Sequence, residues 1–249
     1  MYLLIPRQYP SANSAPDSIQ DASFEGRVRL DNRSELALSL GIPEIELANF
    51  PDRTLTLKAY IKWGNLCVEH LLGDFALSIF DPKNDEIFCA RDHMGIEPFY
   101  FCFSDDSFVF ADNIQQLVEK RLVSSALDDH SVCCYLRDGE FYHPEKTFYR
   151  DVKKLPPGHA MRIRNWEQSS YAYWSLEGCV ALEFESQQDC SDQLRKLLVE
   201  AVSSRIRNTG SFGIHLSGGL DSSGIAAITR KVLNAPADDV RGYTWNFEP

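Results

Sequence analysis

Residues 212–247 place the tightest constraint on the fold. A short apolar strand, Phe212-Gly213-Ile214-His215-Leu216, runs into a glycine–serine loop; an apolar-faced helix follows over 224–234 and a second strand over 241–247. Strand, helix and strand in that order form one βαβ unit, which implies a parallel sheet. Just upstream, Leu194, Leu197, Leu198, Ala201, Val202 and Ile206 recur at spacings of 3, 1, 3, 1 and 4. That is the apolar stripe of a helix packed on a sheet, with Asp189 or Ser191 as its cap.

The first two thirds of the chain follow a different period. Short runs rich in Phe, Ile and Val at 75–81, 86–92, 99–103 and 107–111 are separated by turn clusters, and read as an antiparallel meander. Residues 113–123 and 131–139 read as helices, the second ending at Gly139. Residues 147–152 and 159–165 read as strands joined by a bend at Pro156-Pro157-Gly158. Between 55 and 72, Leu57, Tyr60, Ile61, Cys67, Val68, Leu71 and Leu72 share a helical face that Gly64 breaks or bends. Residues 6–23, rich in Pro, Ser, Asp and Asn, read as an irregular arm. The expected organisation is a first domain over 1–175 that includes this arm, a linker over 176–188 and a second domain over 189–249.

The chain has 249 residues, 44% of them hydrophobic, enough to bury a sizeable core and to exclude wholesale disorder. Its 25 basic against 36 acidic side chains give a net charge of −11, which argues against nucleic-acid binding. No apolar run approaches ~18 residues, so no membrane span is expected. The first residues lack the basic and apolar regions of a secretory leader, and the expected location is the cytoplasm. Seven cysteines, at 67, 89, 102, 133, 134, 179 and 190, show no metal-ligand spacing and read mostly as buried thiols in a reducing compartment.

One motif carries chemistry: Leu216-Ser217-Gly218-Gly219-Leu220-Asp221-Ser222-Ser223, between a strand and a helix. Two glycines let the backbone turn tightly and approach a ligand, three serines supply hydroxyls, and the free N–H groups of the following helix face the same spot. A phosphate fits there. The loop is neither a Walker loop, having no lysine, nor a Rossmann fingerprint. Asp221 has two readings: a helix cap in an ordinary βα turn, or a carboxylate that holds Mg²⁺ beside phosphates. His215 and His93 read as structural, and the aromatic run at 99–103 as core.

The loop resembles the pyrophosphatase loop of ATP-dependent adenylating enzymes. The chain upstream resembles the asparagine synthetase family in four stretches: Leu30-Asp31-Asn32-Arg33-Ser34-Glu35-Leu36; Leu72-Gly73-Asp74-Phe75-Ala76; Ala90-Arg91-Asp92-His93-Met94-Gly95-Ile96-Glu97-Pro98-Phe99-Tyr100; and Lys154-Leu155-Pro156-Pro157-Gly158-His159. With the loop they cover residues 24 to 249 in the family's order. The resemblance implies an α+β glutaminase-like domain of the N-terminal-nucleophile type, two sheets stacked between helices. An α/β domain follows, the start of a parallel-sheet ATP pyrophosphatase (adenine nucleotide α-hydrolase-like) domain. It implies ATP and Mg²⁺ as cofactors. Leu216, Ser217, Gly218, Gly219, Asp221 and Ser222 would meet ATP, with Asp221 on the metal and the Trp245 backbone near the adenine. Asp52 matches the family carboxylate that binds the substrate amine.

Two departures shape the expected function. Glutamine-hydrolysing members carry a cysteine after the initiator methionine; here that residue is Tyr2, and a phenol with a pKa near ~10 does not replace a thiolate. The family's glutamine-holding Asn-Gly-Glu is also replaced, by Phe24-Glu25-Gly26-Arg27-Val28-Arg29. No glutaminase activity and no catalytic residue are therefore expected. The parallel is with members that close β-lactam or lasso-peptide rings and take the amine from the substrate. The family's later acidic motif and lysine lie outside these residues. The chain is thus expected to be the front of an ATP-dependent amide-forming ligase acting on a small-molecule or peptide carboxylate and amine, or to need a homodimer or partner chain to complete the sheet. The alternatives are a catalytically incomplete scaffold that binds a partner, and an asparagine synthase that uses glutamine.

Overall fold

The computed structural model describes residues 2–6, 18–19, 22–140, 143–206, 212–233 and 240–245. They form two compact units, Met1–Cys179 and Val180–Pro249. In the first unit the strands are β1 (Tyr2–Pro6), β2 (Ser18–Ile19), β3 (Ala22–Leu30), β4 (Gly73–Asp81), β5 (Glu86–Arg91), β6 (Tyr100–Phe103), β7 (Ser107–Ala111), β8 (Lys153–Lys154), β9 (His159–Arg164) and β10 (Glu167–Ala172). Its α-helices are α1 (Arg33–Leu40), α2 (Asp52–Trp63), α3 (Ile114–Glu119) and α4 (Asp129–Asp138). Two antiparallel sheets result, in the orders β1-β7-β6-β8 and β10-β9-β5-β4-β3-β2.

Strand periodicity explains the layering, because successive side chains point to opposite faces. On β4, Phe75, Leu77 and Ile79 join Leu36, Leu55 and Tyr60 of α1 and α2 in one core, whereas Ala76 points into a second. On β5, Phe88 and Ala90 face the helices while Ile87 and Cys89 face the other sheet. On β7, Phe108 and Phe110 point inward to that shared core, and Val109 and Ala111 point outward to Leu117 of α3. The order is helix, sheet, sheet, helix. Strands covered on both faces read as continuous apolar runs, which is why 75–81 and 107–111 show little alternation.

The four apolar runs do not make one meander. β4 pairs with β5 in the six-stranded sheet and β6 with β7 in the four-stranded sheet. The chain changes sheet at 92–99, and Arg91 and Asp92 build the crossing. The Asp92 carboxylate, 1% exposed, accepts the backbone N–H groups of Phe75 (3.3 Å), Met94 (3.1 Å), Ile96 (2.9 Å) and Glu97 (2.9 Å). The Arg91 guanidinium donates to the carbonyls of Gly95, Glu97 and Leu155 at 2.7–2.8 Å. Pro156-Pro157-Gly158 makes a second crossing, between β8 and β9, so the expected strand at 147–152 gives way to a turn and a two-residue edge strand.

Other boundaries moved for local reasons. Asn113 caps α3, whose end at Glu119 precedes Arg121 in the left-handed region (φ 55°). Asp128 caps α4, and left-handed Gly139 ends it as expected. β1 and β3 were not expected as strands, although β3 alternates apolar and polar residues from Ala22 to Leu30. Residues 18–19 and 22–23 of the expected irregular arm are strand, and 7–17, 20 and 21 lie outside the described residues. His93 is structural, its ring edge-on to Phe75, Tyr173 and Trp174.

The second unit contains α5 (Gln187–Arg205), β11 (Phe212–His215), α6 (Leu220–Leu233) and β12 (Val240–Tyr243). β11 and β12 pair in parallel, as the βαβ reading requires. The cap of α5 is Ser186 rather than Asp189 or Ser191: its hydroxyl accepts the Asp189 N–H and donates back to the Asp189 carboxylate (2.7 Å). The hydroxyl thus satisfies one of the backbone donors that the start of a helix leaves free, and its own proton goes to the Asp189 carboxylate. Only Val202 of the α5 stripe is buried; Leu194 and Leu197 stay about half exposed. Among the described residues no helix is long and apolar enough to cross a membrane.

Gly26 shows how tightly β3 lies on β4. Its φ is +134°, and a methyl there collides with the carbonyl oxygen of Ala76. Gly26→Ala is expected to destabilise the protein by about 3 kcal/mol or more, read as a large drop in thermal midpoint. An unchanged midpoint would show that this close approach is not required.

Candidate functional site

The glycine–serine loop lies where β11 ends and α6 begins. The Leu216 N–H donates to the Tyr243 carbonyl (2.7 Å), and the Leu216 side chain packs over Gly242, where a methyl would meet its Cδ1 at 2.5 Å. This fixes the loop at the C-terminal edge of the parallel pair, the edge at which α/β sheets bind ligands. Ser217 and Ser222 close the loop: their hydroxyls lie 3.0 Å apart, the Ser217 N–H donates to Ser222 Oγ (3.2 Å), and the Gly219 N–H donates to Ser217 Oγ (3.4 Å). Gly218 takes a left-handed conformation (φ +81°) with nothing within 4 Å of the Cβ it lacks. The concave side of the loop is therefore open.

Asp221 sits in the first turn of α6, which starts four residues earlier than the sequence pattern suggested. It is exposed and makes no hydrogen bond or ion pair with the described residues, so no side-chain cap consumes its carboxylate. Among the described residues no group of three or more His, Cys, Asp or Glu stands ready for a metal. A Mg²⁺ at Asp221 would take its remaining ligands from phosphate oxygens and water. Trp245 lies two residues past β12, on the same edge as the loop, and is exposed. His215 is exposed on β11.

In the first unit the structure puts Asp52 at the start of α2. Its carboxylate accepts the Leu30 N–H (2.9 Å) and pairs with Arg33. The Arg33 guanidinium also donates to the carbonyls of Leu47 (2.9 Å) and Phe50 (2.8 Å). Arg33 is thus a clasp that ties β3, α1 and α2 together, and its role was invisible in the sequence because its partners are 14 to 19 residues away.

β1 opens on Tyr2, whose backbone pairs with Ala111. The next residue, Asp112, forms an ion pair with Arg27 of β3 (2.8 Å), joining the two sheets beside the start of β1. Arg29, on the same face as Arg27, pairs with Asp31 (3.0 Å). Burial pushes the Glu97 carboxyl up, Arg27 pulls it down, and Asp74, Asp92 and Asp112 push it up again. Arg27 and Arg29 are thus both committed to ion pairs.

The cysteines divide differently from expectation. Cys67 and Cys89 are fully buried, and burial raises both thiols, Cys89 to about 12. Cys133, Cys179 and Cys190 are exposed, because α4 and the 179–190 stretch cover little of their own surface. A thiol-specific chromogenic reagent is expected to modify these three quickly and Cys67 and Cys89 only in denaturant; fast modification of either buried thiol would contradict the packing. Asp52→Ala strands Arg33 and the Leu30 amide and is expected to cost about 2–4 kcal/mol in urea unfolding. A change within error would deny Asp52 this structural role.

A family model for the glutamine amidotransferase domain matches residues 32–174, and one for asparagine synthase matches residues 193–249. Asparagine synthetase [glutamine-hydrolyzing] 3 of Bacillus subtilis is 28% identical over 199 residues, covering 80% of this chain and 32% of its own length. Putative asparagine synthetase [glutamine-hydrolyzing] 2 of Methanocaldococcus jannaschii is 29% identical over 191 residues, covering 75% of this chain and 36% of its own length. Amidase chry2 of Gibberella zeae is 27% identical over 193 residues, covering 76% and 28%. The chain spans about a third of the length of these relatives. Among solved structures, glutamine phosphoribosylpyrophosphate amidotransferase from B. subtilis aligns with 97% of this chain and 47% of its own at 15% identity and a TM-score of 0.38. A glutamine amidotransferase domain of the N-terminal-nucleophile fold, followed by the beginning of an asparagine synthase domain, makes this chain a member of the asparagine synthetase family.

Proposed function

We propose that this chain belongs to an ATP-dependent amide-forming ligase that takes its amine from a substrate and does not hydrolyse glutamine. The observation that carries the nucleotide part is the loop itself. It has an open left-handed glycine, two facing serine hydroxyls and an uncommitted carboxylate, all at the N-terminus of a 14-residue helix. Such a site suits a pyrophosphate with Mg²⁺ beside it. Ser217 and Ser222 would exchange their mutual hydrogen bond for phosphate oxygens, Gly218 and Gly219 would let the backbone approach, and Asp221 would share the metal. The Leu216 and Trp245 backbones would border the adenine.

In the proposed reaction a carboxylate oxygen attacks the α-phosphorus of ATP and pyrophosphate leaves. An amine then attacks the acyl-adenylate, loses a proton and displaces AMP. Both steps need groups beyond the 57 residues matched in the synthetase part.

Loss of glutamine hydrolysis is supported by three features. β1 opens on a tyrosine where the family opens on a cysteine. Cys67 and Cys89 are sealed in the core, and burial raises the thiols of both and of the half-buried Cys102 on β6. An ion-paired arginine, Arg27 in one register and Arg29 in the other, stands where the family carries the Glu of its glutamine-holding Asn-Gly-Glu. Asp52 then serves the fold through Arg33 rather than a substrate amine. A lasso-peptide or β-lactam type of cyclisation fits a ligase with these properties, with the nucleophile tethered to the activated acid.

Titration calorimetry with ATP is expected to show Mg²⁺-dependent binding that Asp221→Ala weakens at least about tenfold. The same Kd for wild type and variant would remove Asp221 from the site.

A further inference from the structure

The first unit carries a groove that neither the sheets nor the nucleotide loop uses. The segment after α4 folds back along the edge of the four-stranded sheet: Lys146 bridges Lys153, and Lys154 lies opposite Tyr100 in the β6–β8 ladder. Thr147 fixes the turn, its hydroxyl oxygen 3.0 and 2.7 Å from the carbonyls of Tyr149 and Val152. The result is an open groove of about 210 Å³ with Tyr100, Ile114, Phe148 and Tyr149 as its floor and Lys146 and Lys154 on its rims.

The charge here runs against the rest of the chain. The protein carries −11 overall, yet neither rim ammonium pairs with a carboxylate among the described residues. Lys146 lowers the Asp128 pKa through its charge, but that carboxylate is bonded to the Ser131 amide and hydroxyl at 2.7 Å. Lys154 lies near Arg91, which is committed to three carbonyls; partial burial and that like charge push the Lys154 pKa down. An anion at this rim offsets the like charge of Arg91 and gives the half-buried ammonium a partner, and the apolar floor is large enough for one side chain of leucine or phenylalanine size.

We propose that this groove binds an acidic peptide, seating one apolar side chain on Tyr100, Ile114, Phe148 and Tyr149 with flanking carboxylates on Lys146 and Lys154. Diffuse attraction does not explain such binding, because the chain as a whole repels acidic peptides. The test is fluorescence anisotropy of the 249-residue chain with fluorescein-labelled Gly-Asp-Glu-Phe-Glu-Asp-Gly at low salt. Saturable binding is expected. It should weaken at least about tenfold in the Lys146→Glu, Lys154→Gln double variant and when the peptide Phe is replaced by Ser. Phe148→Ser, on the solvent side of the floor, should act in the same direction without disturbing the sheet edge, which separates loss of the site from loss of fold. Absence of saturable binding, equal binding of the Gln/Asn version of the peptide, or indifference to both sets of variants overturns the proposal.

Discussion

The architecture of the first unit depends on one buried carboxylate. Asp92 collects four backbone N–H groups, one from β4 and three from the turn that follows β5, while its own carbonyl accepts the amides of Gly95 and Gly158. Each of these donors offsets part of the cost of burying the carboxylate. Arg91 does the matching work on the carbonyl side of the same turn. The pair fastens both the amides and the carbonyls of the turn that follows β5. With it, the chain leaves one sheet, crosses the core at Phe99 and begins the other. The second crossing, at Pro156-Pro157-Gly158, docks on the first through the Gly158 amide.

This explains what was legible in the sequence and what was not. Apolar runs at 75–81, 86–92 and 107–111 gave the strands because both faces of each are covered, and Gly139 gave a helix end because its left-handed backbone needs glycine. The parallel pairing of β11 and β12 followed from the helix between them. The split into two sheets did not follow, because the partners of Asp92 are backbone amides, which no side-chain pattern reports. β3 was legible and overlooked: Ala22, Phe24, Val28 and Leu30 face the core in alternation with Ser23, Glu25, Arg27 and Arg29, the period of a half-buried strand, but the upstream Pro- and Ser-rich stretch drew the reading of an irregular arm over its start. The cap of α5 was misplaced for a smaller reason: Ser186, Asp189 and Ser191 all suit a cap, and only the geometry shows that Ser186 takes the Asp189 N–H.

The candidate site divides in the same way. Leu216 to Ser222 form a contiguous motif between a strand and a helix, so their geometry was readable before any fold was known. Asp52 was singled out as a match to a family position, but its partner Arg33 lies on another helix and emerged only in three dimensions. The Arg27–Asp112 ion pair likewise joins residues 85 positions apart in the chain. These two pairs are long-range struts: one ties β3, α1 and α2 together, the other joins the two sheets.

The central claim is that the fold of a glutaminase persists here without glutamine hydrolysis. The most direct measurement is glutamate release from glutamine by the purified protein in the presence of ATP and Mg²⁺, against a protein-free blank. The account predicts no release above the blank at any protein concentration. Release that rises in proportion to protein would contradict it, and would mean that a group other than a first-strand cysteine performs the attack.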